Sequence, residues 1–71
     1  MTAAPLPKKR LQEAKQIMYR NHILDVGEEV FAELGYEGTQ VKMVAAQAEI
    51  SLSTLYGHFK NKMELYHNLY L

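Results

Sequence analysis

The chain has 71 residues, no cysteine, and eight basic and eight acidic side chains that give a formal net charge of zero. This length accommodates one small domain. The absence of cysteine excludes disulfide frameworks and thiolate metal sites, and the three histidines lack a carboxylate at ligand spacing, so no metal or cofactor is expected. No apolar run approaches the roughly 18 residues of a membrane span, and no secretory signal is visible. We therefore expect a cytoplasmic protein without a membrane partner.

The charges are segregated along the chain rather than mixed. Residues 1–20 carry five basic side chains and one acidic side chain, whereas residues 21–49 carry six acidic side chains and one lysine. Lys60 and Lys62 make the last segment mildly basic again. The zero total therefore conceals a basic N-terminal part ahead of an acidic helix.

The first predicted helix spans roughly residues 20–34. Apolar side chains recur at three- and four-residue spacing from Ile23 to Leu34, which indicates one buried helix face. Gly35 follows as a C-terminal stop. The start is open, because Asn21 could cap the helix, or the helix could run on from Leu11 through a segment without a breaker.

The remainder of the chain divides into a flexible N-terminal arm and three shorter helices. Residues 1–15 contain two prolines and are interpreted as a flexible basic arm. Ser51 is suited to be an N-cap, and Asn61 with Glu64 resembles a capping box. The shorter helices are predicted at roughly 41–48, 52–59 and 62–71.

The second and third predicted helices, joined by a short turn, have the pattern of a helix-turn-helix at about residues 40–59. That motif requires a small residue inside its first helix, an apolar residue after the turn and another inside its second helix. Ala45, Ile50 and Leu55 occupy those places. The predicted fold class is therefore all-α, a small helical bundle with a homeodomain-like helix-turn-helix.

Three linked segments carry a resemblance to a known family: "ILDVGEEVFAELGYEGTQV", "VAAQAEIS" and "STLYGHFKNKMEL". Together they resemble the N-terminal DNA-binding domain of the tetracycline-repressor (TetR) family. The resemblance covers roughly residues 20–71, and the domain is predicted at residues 16–71. The resemblance implies double-stranded DNA as a partner, bound in the major groove. It also implies a second helical domain that binds a small-molecule effector and forms the homodimer, and that C-terminal domain is expected to be absent from this chain.

The resemblance also assigns roles to individual residues. Ser51 resembles an N-cap that contacts phosphate, and the next three residues would form the leading edge that faces bases. Tyr56 and His58 resemble phosphate donors with Gly57 exposed between them, and Lys62 resembles the lysine that grips the DNA backbone. The implied DNA-binding residues are Gln40, Val41, Lys42, Ser51, Leu52, Ser53, Thr54, Tyr56, Gly57, His58 and Lys62.

Three positions depart from the family pattern. Glu49 stands in the turn where glycine is usual, and a non-glycine residue in a left-handed conformation there costs about 1 kcal/mol. Ser53 replaces a frequent glycine, which is a mild change. Gln40 stands where a capping hydroxyl is common, which leaves Thr39 as a possible substitute cap one residue early.

Two functions are compatible with these features. The first is a sequence-specific DNA-binding domain of a repressor that binds a palindromic operator as a dimer; no catalytic group is expected. The alternative is a helical protein-interaction module that kept the fold and lost DNA binding, which the zero net charge and Glu49 favour slightly. Several roles also have a plainer reading: Tyr56 as a core aromatic, His58 as a surface side chain, and residues 8–10 as a solvated tail rather than an arm in the minor groove.

Overall fold

The structure is a computed structural model that describes residues 8–71, with side chains described from Gln12 onward. This part of the chain contains four helices and no strand. The helices are α1 (Lys8–Gly38), α2 (Val41–Gln47), α3 (Leu52–His58) and α4 (Lys62–Tyr70). The predicted all-α fold class is confirmed, and helices α2 to α4 each end one residue earlier than predicted.

Helix α1 begins at Lys8 rather than near residue 20. Of the two starts left open by the sequence, the continuous one is therefore correct, and Asn21 lies inside the helix. The segment before Asn21 is rich in lysine, leucine, glutamine, glutamate and alanine, which have high helix propensity. The boundary of the flexible arm is corrected accordingly: residues 8–15 are helical, and residues 1–7 lie outside the described residues.

The backbone of α1 is interrupted at Gly35, which adopts φ 74° and ψ 171°. The predicted stop at this glycine is confirmed, because its conformation lies where side chains with a Cβ atom are strained. One further helical turn, residues 36–38, follows the break where a loop was expected. The kink turns the chain from α1 into the helix-turn-helix.

The buried side chain of Thr39 stabilises this break. Its Oγ1 donates a hydrogen bond to the carbonyl oxygen of Gly35 at 2.7 Å and lies 3.5 Å from that of Val30. The structure thereby corrects the proposal that Thr39 caps α2. The N-cap of α2 is Gln40, whose side chain makes no capping hydrogen bond.

One apolar core joins the four helices. Helix α1 packs against α2 and α4, and α2 packs against α3. Fully buried side chains such as Ile23, Leu55 and Leu65 come from three different helices, so none of the helices has a separate core. The core residues are Ile23, Val26, Val30, Phe31, Val44, Ala45, Ala48, Leu55, Phe59 and Leu65.

The turn between α2 and α3 is a Schellman motif, in which two backbone hydrogen bonds close the end of a helix. The amide of Ile50 donates to the carbonyl of Ala45 at 3.0 Å, and the amide of Glu49 donates to that of Ala46 at 3.1 Å. The residue that must be left-handed in this motif is Glu49, with φ 60°, and it is the only non-glycine residue with positive φ in the described part of the chain. The strain expected from the sequence is therefore present.

Replacing Glu49 with glycine should stabilise the domain. We expect the free energy of unfolding to rise by roughly 0.5–1 kcal/mol, because relief of left-handed strain exceeds the extra entropy that glycine has in the unfolded chain. Urea unfolding followed by circular dichroism measures the change. The matched control is Ala46→Gly, at an exposed helical position, which should destabilise the domain by about 1 kcal/mol. Equal destabilisation by both variants would show that the backbone at Glu49 is not strained.

Candidate nucleic-acid interface

The N-terminus of α3 is ordered by hydroxyl groups. The Ser51 Oγ accepts a hydrogen bond from the Thr54 amide at 3.1 Å, so the predicted N-cap is confirmed. The same oxygen lies 2.7 Å from the Thr54 Oγ1 and 3.2 Å from the Ser53 Oγ. These three polar side chains and Leu52 are exposed, so the first turn of α3 presents hydroxyl donors and acceptors beside one apolar group.

A shallow groove, here called the helix groove, runs from the start of α2 across α3 to the start of α4. Its lining combines Lys42 and Lys62 with exposed apolar surface: Leu52 is 41% exposed and Tyr56 is 46% exposed. The core aromatic near Tyr56 is instead Phe59, which is fully buried. The structure therefore rejects the reading of Tyr56 as a core residue. The lining residues are Thr39, Gln40, Val41, Lys42, Leu52, Tyr56 and Lys62.

Lys62 is engaged within the protein. Its Nζ donates hydrogen bonds to the carbonyl oxygens of Tyr36 at 2.7 Å and Thr39 at 3.0 Å, and it lies 4.3 Å from the centre of the Tyr36 ring. Because these carbonyls follow the break at Gly35, Lys62 joins the end of α1, the start of α2 and the first turn of α4. An ammonium group has three N–H donors, so one remains for another acceptor.

A second groove, here called the α1–α3 groove, separates α1 from the C-terminal end of α3. Gly57 and His58 line one side of it, and Glu13, Gln16, Ile17 and Arg20 line the other. The His58 ring is half-buried and its centre lies 6.4 Å from that of Tyr19. The predicted residues thus fall into two groups: most line the helix groove or the first turn of α3, whereas Gly57 and His58 lie beside α1.

Sequence reasoning missed two residues of α1 that hold this region. The Arg20 guanidinium lies 4.7 Å from the centre of the Phe59 ring and donates a hydrogen bond to the Asn68 Oδ1 at 2.7 Å. The His22 Nε2 donates to the carbonyl of Ala48 at 2.9 Å, next to the strained turn. Because each partner is distant in sequence, no local pattern reveals these contacts. The one available signal was the helical register: Arg20 lies one turn before the buried Ile23, so its side chain is expected near the core.

The first turn of α4 carries the predicted capping arrangement. The Asn61 Oδ1 accepts a hydrogen bond from the Glu64 amide at 2.8 Å, and the Glu64 carboxylate accepts one from the Lys60 amide at 3.0 Å. The carboxylate therefore reaches the residue before the cap rather than the cap itself. Within residues 8–71, no cluster of three histidine or carboxylate groups could hold a metal, and no helix is long and apolar enough to cross a membrane.

Replacing Lys62 with methionine should destabilise the domain by about 1–3 kcal/mol, because two carbonyl groups lose charged hydrogen-bond donors while the apolar stem is retained. Urea unfolding measures the effect. Lys60→Met is the matched control, since the Lys60 side chain is exposed and should change stability by less than about 0.5 kcal/mol. A loss of stability no greater than that of the control would exclude this structural role for Lys62.

Comparison with known proteins connects this geometry to transcription. The chain is 32% identical over 65 residues to the HTH-type transcriptional regulator AcrR of Shigella flexneri, an alignment that covers 92% of the chain and 29% of that protein. It is 34% identical over 65 residues to the HTH-type transcriptional repressor KstR of Mycobacterium tuberculosis, covering 92% of the chain and 30% of the relative. It is 42% identical over 48 residues to the fatty acid metabolism regulator protein of Bacillus subtilis, covering 68% of the chain and 25% of that protein.

A solved structure and a family profile agree with these relatives. The crystal structure of a HlyIIR mutant protein superposes with a TM-score of 0.74 at 28% identity, over 76% of this chain and 30% of that one. The chain therefore spans less than a third of the length of these proteins. The family described as "Bacterial regulatory proteins, tetR family" matches residues 23–69. Its relatives are regulators rather than enzymes, as predicted, and the chain belongs to the tetR family of bacterial regulatory proteins.

Proposed function

We propose that this chain is a sequence-specific DNA-binding domain that inserts α3 into the major groove of double-stranded DNA. The observation that carries the proposal is the helix groove, where Lys42 and Lys62 flank Leu52 and Tyr56 on an exposed face. Cationic side chains supply affinity for phosphate, and groups on the leading turn of a recognition helix reach base edges. None of the residues that line this groove is acidic.

The proposed contacts divide into those that position the domain and those that read sequence. Gln40, Val41 and Lys42 at the start of α2 would contact the backbone of the DNA. Ser51 would contact a phosphate, while Ser53 and Thr54 would face bases and Leu52 would contact a thymine methyl group. Tyr56 and His58 would donate to phosphates.

Lys62 would combine two roles in this proposal. Two of its N–H groups donate to Tyr36 and Thr39 carbonyls, and the third would donate to phosphate. A lysine fixed in this way is pre-organised, so little side-chain entropy would be lost when DNA binds. The carbonyl contacts thus support a phosphate contact rather than compete with it.

The open space at Gly57 independently supports close approach of DNA. A Cβ atom built on this residue meets no atom within 4 Å, and its φ is not in the positive range, so the fold itself does not require glycine. A bulky side chain there would, however, obstruct a duplex lying across Tyr56 and His58. In this proposal, glycine at this place permits the duplex to approach α3 closely.

The wider regulatory role is also a proposal. By analogy with the repressors among its relatives, the domain would act in the cytoplasm as a repressor that binds a palindromic operator as a homodimer. Two recognition helices would then lie about one DNA turn apart. Dimerisation and binding of a small-molecule effector would require residues outside this chain, so the isolated domain should bind DNA weakly.

Replacing Lys42 with glutamine should weaken DNA binding and its dependence on salt. Removal of one phosphate contact lowers the slope of log K against log salt by about 0.9. Fluorescence anisotropy with a random duplex at several low salt concentrations measures the slope. Ala32→Glu is the control, because it also lowers the net charge by one but lies on the exposed acidic face of α1. Equal slopes in both variants would exclude a local contact by Lys42.

Replacing Gly57 with leucine should separate binding from folding. We expect stability to be unchanged or raised by up to about 1 kcal/mol, because leucine is a better helix former than glycine. DNA affinity should fall at least tenfold because the side chain obstructs the duplex. Ala32→Leu is the control for an added surface leucine. Unchanged affinity would argue against a DNA surface at Gly57, and absence of salt-sensitive binding by the unmodified domain would favour the protein-interaction alternative.

A further inference from the structure

The turn of the helix-turn-helix is held from outside by α1. The Nε2 of His22 donates a hydrogen bond to the carbonyl oxygen of Ala48 at 2.9 Å, although the two residues are 26 positions apart. Ala48 is buried and is the C-cap of α2. The two amides that close the turn donate to Ala45 and Ala46 instead, so the histidine supplies the donor that this buried carbonyl needs.

This hydrogen bond fixes one peptide unit at both ends. The carbonyl of Ala48 and the amide of Glu49 belong to the same planar group and point in opposite directions. The carbonyl accepts from His22 at 2.9 Å, and the amide donates to the carbonyl of Ala46 at 3.1 Å. Rotation of the peptide would break both bonds. Its orientation is therefore fixed by one contact within the turn and by one contact from α1.

The fixed peptide precedes the strained residue of the turn. Rotation of this peptide changes the φ of Glu49, which is 60° in the structure. In the rotated turn Glu49 reaches negative φ, which a residue with a Cβ atom prefers. The strain favours rotation and the two hydrogen bonds oppose it. Because the cost of a left-handed residue and the net contribution of a hydrogen bond are similar in size, the contact of His22 decides the balance.

His22 itself lies away from the surface assigned to DNA. It lines neither the helix groove nor the α1–α3 groove. It shares a separate pocket with Lys15, Met18 and Tyr19 on α1. An effect of His22 on DNA binding would therefore be transmitted through the turn and not through a contact of its own.

We propose that His22 is a positioning residue for DNA binding, which holds Glu49 in the left-handed conformation and thereby fixes α3 against α2. This inference rests on the proposed function. A glycine in the turn would need no such support, because glycine adopts positive φ without strain. His22 thus compensates for the glutamate at this place. The left-handed form is the one that binds DNA, so the observed affinity is proportional to the fraction of the domain in that form.

The first test removes the donor and then restores it. His22→Phe keeps a ring but has no N–H group, and we expect its affinity for random duplex DNA at low salt to fall about threefold. His22→Gln should restore the affinity, because its amide nitrogen donates from a similar position on the side chain. The salt slope should stay the same in both variants, since no phosphate contact is lost. A lower slope would make His22 a direct contact with DNA and overturn the proposal.

The second test asks whether the effect of His22 depends on Glu49. In the Glu49→Gly background, His22→Phe should lower the affinity by less than about 1.5-fold, because glycine does not favour rotation. Equal losses in the two backgrounds would reduce His22 to a general structural role and overturn the proposal.

Gln47→Ala is the matched control for both tests. It removes the 3.4 Å hydrogen bond from Gln47 to Glu29, which also joins α1 to the end of α2. It changes no charge and leaves the peptide before Glu49 fixed, so the affinity should change by less than about 1.5-fold. A loss equal to that of His22→Phe would indicate a general loosening of α1 from α2 and overturn the proposal.

Nuclear magnetic resonance of the nitrogen-labelled domain supplies a signature that does not depend on DNA. The Nε2 of His22 should carry a proton, since only then does it donate. In His22→Phe the amide of Glu49 should exchange with solvent at least about threefold faster, because rotation breaks its hydrogen bond. An unprotonated Nε2, or an unchanged exchange rate in the variant, would overturn the proposal.

The two proposals fail in different ways. If the unmodified domain binds DNA and His22→Phe binds with the same affinity, His22 is not a positioning residue, while the proposed function stands. Absence of DNA binding by the unmodified domain would overturn both proposals.

Discussion

The relative positions of the helices depend on hydrogen bonds to the backbone carbonyl oxygens at and after the break in α1. The positive φ of Gly35 ends the regular helix and leaves acceptor groups that cannot remain unpaired where water is scarce. Thr39 donates to the Gly35 carbonyl, and Lys62 donates to the Tyr36 and Thr39 carbonyls. The kink, the entry into α2 and the start of α4 are therefore held by one short network, and the helix groove lies directly beside it.

This network gives Lys62 a structural role in addition to its positive charge. A lysine at an exposed interface is usually a mobile charge, but here its position is fixed by two acceptors and an aromatic ring. The orientation of α4 relative to the helix-turn-helix and the placement of the cation that we propose to bind phosphate then depend on the same side chain. Arg20 acts similarly on the opposite side, because it connects α1, Phe59 and the end of α4.

Local signals in the sequence predicted most of the fold. Apolar spacing indicated the buried faces, Gly35 indicated the break, and Ser51 and Asn61 indicated the starts of α3 and α4, because each of these features is determined by neighbouring residues. The start of α1 was not determined locally, since the segment before Asn21 has neither a cap nor a breaker. The partners of Lys62, Arg20 and His22 could not be predicted from neighbouring residues, because they come from other helices and depend on tertiary packing. The residues of the candidate interface were identified by resemblance, and their arrangement in two grooves required the structure.

The turn at Glu49 has a consequence for motion. Glycine can occupy both halves of the backbone dihedral map, whereas a glutamate with positive φ is confined to one narrow well. The joint between α2 and α3 is therefore strained but stiff, and His22 holds its first residue from outside. A stiff joint limits the range of angles that α3 samples relative to α2. The strained turn lowers the stability of the domain, and in return it narrows the distribution of angles between α2 and α3.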